Sequence, residues 1–288
     1  MFFKENTVHI KLLSIWSHIP EHINPTIFSI GPIPIRWYGI LYLTGFLIVY
    51  LLVVYRIKSE NLQYTTKTIN DFFLWAILGS LIGDRLGYVL LYNFRFFCNH
   101  PLKIFLPLEY SSGIDYIGIS GLSYHGGVIG ILFASIFFCH KRRIDFWHLG
   151  DLALSVTPLG YTLGRLGNFV NGELYGRVTT SSLGMYFPLD TTNQLRHPSQ
   201  LYEAFFEGLL LFVILWNLRK KKCFDGFIFS MYFIGYGAIR FFIEFVREPD
   251  PQFGLILGYF TMGQILCLCM ILSGFLVMLI RKPYRIGA

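Results

Sequence analysis

The chain has 288 residues, of which 54% are hydrophobic, 18% aromatic and only 14% charged. That composition excludes a soluble globular domain and describes a protein that lives in a bilayer. The formal charge of +7 is assigned to lysines and arginines that anchor the chain against anionic lipid, and no nucleic-acid partner is expected.

In chain order, residues 1–35 contain His9, His18, Pro20, Glu21 and Pro25 and no continuous apolar run after Lys4. A cleavable signal is therefore not expected, and the segment is predicted to lie on the membrane surface or fold back. Apolar stretches then recur at 37–55, 71–92, 121–140, 147–163, 200–217, 226–246 and 258–280. They predict an all-α, polytopic membrane protein of about seven spans, folded as one integral domain over 1–288. The stretch 147–163 is short and carries Asp151 and Pro158, so it is expected to be enclosed by its neighbours. Cysteines at 98, 139, 223, 267 and 269 have no paired spacing, and neither a metal site nor a disulfide framework is expected.

Orientation follows from the connections. Segments 56–70, 141–146, 218–225 and 281–288 hold 3, 3, 4 and 3 basic residues, against 3, 2, 3 and 1 in segments 1–36, 93–120, 164–199 and 247–257. The first set is predicted to be cytoplasmic, which places the N-terminus outside, the C-terminus inside and segment 164–199 as a small outer head.

With that topology the polar residues of the spans gather toward the outer side. Span 1 begins at Arg36, Trp37 and Tyr38; span 2 carries Asp84 and Arg85; span 3 opens GLSYHGG with His125; span 4 ends at Gly164-Arg165. Span 5 opens RHPSQLYEAFFE, with Glu203 and Glu207 four apart on one face. In span 6, helical spacing predicts that Arg240, Glu244 and Arg247 share a face, and an arginine so deep needs a compensating partner or ligand. Gly79-Gly83-Gly87, Gly160-Gly164, Gly130, Gly235 and Gly237 read as close helix packing. The densest polar segment is GRLGNFVNGELYGR, 164–177, where two arginines and two amides among four glycines offer donors suited to a phosphate. Its plainer reading is a polar re-entrant loop joining two helices.

RWYG (36–39), DRLGYVLLYN (84–93), SYHGG (123–127), GRLGNFVNGELYGR (164–177), RHPSQLYE (196–203), RFFIEFVREPD (240–250) and MGQIL (262–266) stand in this order. The chain thereby resembles the bacterial prolipoprotein diacylglyceryl transferases over nearly its whole length. It departs at Asp84, where that family often has a small residue, and in a short 178–195 segment. The resemblance implies an inner-membrane enzyme that moves the diacylglyceryl group of phosphatidylglycerol to the lipobox cysteine of a prolipoprotein signal peptide, releasing glycerol phosphate and needing no cofactor. It also implies a site of Tyr38, His125, Arg165, Asn168, Glu173, Gly176, Arg240, Glu244 and Arg247.

The residues suit that chemistry. Arg165 and Arg240 could hold phosphate oxygens and stabilise the leaving group. His125 could accept the thiol proton. Glu173 and Glu244 could orient the arginines, and Tyr38 and Asn168 could meet glycerol hydroxyls or ester carbonyls. The alternatives are a membrane transporter or channel for an anionic solute, which commonly shows internal repeats not seen here, and a non-catalytic lipid-binding protein.

Overall fold

The computed structural model describes residues 15–31, 33–91, 94–104, 108–109, 115–116, 123–248, 255–256 and 259–281. Its main helices are α1 (Trp37–Ser59), α2 (Thr66–Leu91), α3 (Tyr124–Arg142), α4 (Phe146–Leu154), α5 (Thr157–Val170), α6 (Ser199–Lys221), α7 (Phe227–Ile243) and α8 (Met262–Arg281). α1, α2, α6 and α8 are long and apolar enough to cross a bilayer, and α7 is apolar but shorter. The protein is a helical, polytopic membrane protein; among the described residues four helices meet that length and hydropathy, which does not confirm the expected count of about seven. Among the described residues three short antiparallel ladders accompany the helices, the longest pairing Thr26–Ile30 with Ile33–Arg36 directly before α1.

The stretch 147–163 is not one span. It breaks at Ser155-Val156 into α4 and α5. Pro158 sits in the first turn of α5 and has no N–H to continue the ladder from α4. Ser155 and Thr157 hydroxyls instead donate to the Leu152 and Ala153 carbonyls at 2.8 and 2.9 Å. Its enclosure is as expected: Asp151 is buried and accepts from the Gly226 and Phe229 amides, both at 2.9 Å, at the start of α7.

The chain divides into two compact units, Met1–Tyr55 with Gly150–Ala288, and Arg56–Leu149. In the second unit α2 and α3 meet along glycines. A Cβ on Gly83 would lie 2.3 Å from the Gly126 carbonyl oxygen, and one on Gly130 would lie 2.0 Å from that of Gly79. Only backbone fits there, which is how small residues let membrane helices approach. Asp84 acquires a role in the same seam. Its carboxylate accepts from the Gly127 amide and the Ser80 hydroxyl, and its carbonyl accepts from the Ser123 amide at 2.9 Å. Ser123 in turn caps α3 through the Gly126 amide. The Asp84 carboxyl thus stands at the positive end of the helix whose second residue is His125.

In the first unit, α1 meets α5 where Gly45 faces Gly160, but a Cβ on Gly164 would meet nothing within 4 Å, so Gly164 is not a packing glycine. α7 and α8 meet at Gly237, whose Cβ would lie 2.9 Å from the Cys267 carbonyl oxygen. Leu211, Leu215 and Ile228 form the core between α6 and α7, and Phe169, Met185 and Phe187 form another beneath segment 171–198.

Candidate functional site

The motif 164–177 is partly helix. α5 continues to Val170, so Tyr161, Arg165 and Asn168 fall at helical spacing rather than in a re-entrant loop. Asn171 ends the helix, and Gly172, at φ +69°, turns the chain back in a conformation that favours glycine. The returning Glu173 amide donates to the Asn168 carbonyl at 3.1 Å. Its carboxylate then accepts from the side-chain amides of Asn168 at 2.9 Å and Asn171 at 3.3 Å. Gln200, fully buried, donates to the Glu173 carbonyl at 2.6 Å.

α6 supplies the acids. Its stretch Glu203–Leu210 is a π-helix, a wider turn often found at functional positions. Thr162 of α5 donates to the Ala204 carbonyl at 3.3 Å inside this turn. The side chains of Glu203 and Glu207 are 1% and 0% exposed, too buried for unpaired charge. Glu203 Oε2 lies 2.7 Å from Arg165 Nε, while its Oε1 lies 2.8 Å from Arg240 Nη1 and 3.6 Å from Arg247 Nη1. Arg240 also reaches Glu207 Oε1 at 3.5 Å and Glu244 Oε2 at 3.3 Å. Tyr161 donates to Glu207 Oε2, accepts from Arg165 Nε at 2.7 Å, and underlies that guanidinium with 4.8 Å from Cζ to the ring centroid.

Three arginines and three glutamates therefore interlock in one buried array. Its outer member, Glu244, is fixed by α8. Thr261 Oγ1 donates to Glu244 Oε1 at 3.0 Å, and Thr261 and Gln264 cap the helix reciprocally. A Cβ on Gly263 would meet Glu244 Oε1 at 2.5 Å, so the glycine of MGQIL makes room for the carboxylate.

Arg247 reaches the array by a route that helical spacing does not predict. α7 stops at Ile243, and the chain tightens through 244–246 before Arg247 pairs with Gly176 in an isolated antiparallel bridge. Gly176 donates to the His197 carbonyl at 2.8 Å, and a Cβ there would lie 2.3 Å from the Val246 carbonyl oxygen. Tyr38, in the first turn of α1, packs its ring and Cα against Gly167 and lies within electrostatic range of Glu173 and Arg165.

Of the residues expected in the site, Arg240 and Glu244 meet directly, and Arg165, Arg240 and Arg247 meet through Glu203. Asn168 and Glu173 meet each other, and Tyr38 and Gly176 border them. Glu173 forms no ion pair among the described residues, so it is held by amides rather than holding an arginine. His125 is the second residue of α3 and exposed, in the Arg56–Leu149 unit. Sequence reasoning missed Tyr161, Gln200, Glu203, Glu207 and Thr261 as site residues. The four-residue spacings of Glu203 with Glu207 and of Tyr161 with Arg165 were the available signals.

The family model for prolipoprotein diacylglyceryl transferase matches residues 25–280. The chain belongs to the prolipoprotein diacylglyceryl transferase family. It is 52% identical over 260 residues to the phosphatidylglycerol–prolipoprotein diacylglyceryl transferase of Chlorobaculum tepidum, covering 90% of each chain. A protein of the same name from Campylobacter jejuni is 40% identical over 277 residues, covering 96% of this chain and all of that one. Another from Treponema denticola is 39% identical over 315 residues, covering 91% and 93%. As a member of this transferase family the chain is a membrane-embedded transferase.

One further ion pair holds this transferase's segment 178–196. Arg196 grips Asp190 through Nε at 2.7 Å and Nη2 at 3.2 Å, stacks over Tyr175, and reaches Glu248 beside Arg247 at 3.1 Å. The Arg196 guanidinium holds the Asp190 carboxyl well below the usual carboxylate range. A carboxyl lowered by folding contributes stability that is complete above its unfolded pKa, about 3.9, and is lost as pH falls through the folded value. Asp190→Asn should therefore lower stability at neutral pH, by about 3 kcal/mol for a broken buried pair. The loss relative to the parent should shrink below about pH 4. Thermal melts from pH 7 to pH 3 check this; a deficit that stays constant with pH contradicts it.

Proposed function

We propose that the protein transfers the diacylglyceryl group of phosphatidylglycerol to the thiol of the lipobox cysteine in a prolipoprotein signal peptide, releasing glycerol phosphate. The observation that carries this reading is the convergence of Arg165 and Arg240, from separate helices, in a buried array within a chain whose relatives bear that enzymatic name. The sulfur electron pair forms a C–S bond to the glycerol carbon as the C–O bond breaks. The bonding electrons leave with the phosphate oxygen, and the thiol proton goes to a base.

Charge therefore grows on the phosphate in the transition state, where fixed guanidinium donors act most strongly. Arg165 places Nε 2.7 Å from both Glu203 Oε2 and the Tyr161 hydroxyl, and the Nη1–Nη2 fork is its further set of donors. That fork is the group we assign to the phosphate, together with Arg240. Tyr38, Asn168, Glu173, Gly176, Glu244 and Arg247 complete the phosphatidylglycerol site, and His125 is assigned as the base. Detergent-solubilised protein given phosphatidylglycerol and a lipobox peptide should yield a thioether-linked lipid and free glycerol phosphate. An anion transporter or a lipid-binding protein would yield neither.

The same reading puts the protein in the bacterial inner membrane as one domain, with its N-terminus and segment 164–199 periplasmic, its C-terminus cytoplasmic and its site toward the periplasm. The distribution of lysine and arginine supports it. In a cysteine-free background, single cysteines near 143 and 221 should resist an impermeant thiol reagent on spheroplasts while one near 182 reacts. The opposite labelling overturns the orientation.

A further inference from the structure

Glu203 is the one carboxylate, among the described residues, that touches Arg165, Arg240 and Arg247. Those arginines come from α5, from α7 and from the turn after it, and the acid comes from the π-helical start of α6. Like charges gathered in a site of low dielectric repel strongly unless an anion lies between them. Glu203 uses a different oxygen for each of the two deeper arginines, Oε2 for Arg165 and Oε1 for Arg240. Arg165 Nε lies 2.7 Å from Glu203 Oε2 while donating to the Tyr161 hydroxyl at 2.7 Å, so one edge of the rigid guanidinium plane is held between the acid and the phenol. Glu207 differs: it contacts Arg240 at 3.5 Å and Tyr161, but not Arg165.

We infer that Glu203 is a positioning residue for the transfer reaction, setting the angle and spacing of the Arg165 and Arg240 guanidiniums so that their remaining donors meet the departing phosphate together. This rests on the reading that the two arginines hold that phosphate. The side chain itself does not touch substrate. Its negative charge also opposes an incoming anion, so the same group that orders the transition-state donors weakens ground-state binding of phosphate.

Two opposite effects of one substitution follow. In Glu203→Gln the shape is kept and the charge removed, so glycerol phosphate should inhibit at lower concentration while kcat falls about 100-fold, the scale of a misplaced catalytic group. Glu207→Gln removes the same charge but leaves the Arg165–Glu203–Arg240 bridge. It should tighten glycerol phosphate similarly and lower kcat less than about tenfold. Glu203→Asp keeps the charge and should recover kcat to at least about ten times that of Glu203→Gln.

The measurements are kcat, KM for phosphatidylglycerol, inhibition by glycerol phosphate and melting temperature on the purified full-length protein, with Arg165→Lys in parallel. Full turnover in Glu203→Gln, equal kcat losses in Glu203→Gln and Glu207→Gln, or a fall in melting temperature with unchanged turnover per folded molecule overturns the positioning role. If Glu203→Gln does not fold, Glu203→Asp decides: a folded protein with full turnover overturns it, and lowered kcat without raised KM supports it. Full turnover in Arg165→Lys sinks the arginine reading itself; loss there with retention in Glu203→Gln sinks only the inference about Glu203.

Discussion

Replacing Arg165 or Arg240 by lysine is expected to lower turnover by at least about 100-fold in protein that still folds, because removing an oriented donor from a charge-stabilising site costs about 2.7–4 kcal/mol of barrier. Lysine keeps the charge but concentrates it in an ammonium with no planar fork. At position 165 it cannot both meet Glu203, as Nε does at 2.7 Å, and present two further donors. At position 240 it cannot span Glu203 on one side and Glu244 on the other, which Nη1 and Nη2 do at 2.8 and 3.3 Å. Steady-state kinetics with phosphatidylglycerol and a lipobox peptide, beside melting curves, check this. Wild-type turnover in both variants would make the arginines a structural ion network and no more.

His125→Gln is expected to slow turnover about 10²- to 10⁴-fold, the usual contribution of a positioned base. The substrate thiol is mostly protonated near neutrality and the thiolate is the nucleophile, so the reaction needs somewhere for that proton to go. His125 lies in the first turn of α3, whose N-terminus is fixed by Ser123 and Asp84. The parent should show an acidic limb in its pH–rate profile that the variant lacks. Raising the pH until the peptide thiol ionises should recover part of the variant's rate. An unchanged limb, or no recovery at high pH, would leave His125 only a positioning role.

The membrane class and helix positions were legible because apolar runs of bilayer length are written locally in the chain. Arg165 and Arg240 were conspicuous as charges in apolar surroundings, and the glycine motif of 79–87 announced a helix seam that Gly126 and Gly130 complete. The ion array was less legible. Glu203 and Glu207 could be seen to share a face, but the partners of that face come from α5 and α7, and no local pattern encodes such pairing. Tyr161 was hidden among 18 tyrosines, most of which read as belt or core. Pro158 was visible as a proline, yet the break it imposes was absorbed into an apolar average. Arg247 was assigned to a continuing helix because periodicity carries no stop signal at Glu244. The turn that follows is stabilised by the distant Gly176, whose missing side chain admits the Val246 carbonyl.

The central claim is that a thiol attacks the glycerol carbon and that the phosphate leaves with the bond it loses. Phosphatidylglycerol carrying heavy oxygen only at the atom joining the diacylglyceryl carbon to phosphorus tests it most directly. Incubated with the purified protein and a lipobox peptide, it should deliver all of the label to glycerol phosphate and none to the lipidated peptide, with the two products formed one to one. Label retained on the diacylglyceryl group, or glycerol phosphate released without lipidated peptide, would contradict carbon attack and the role given to Arg165 and Arg240.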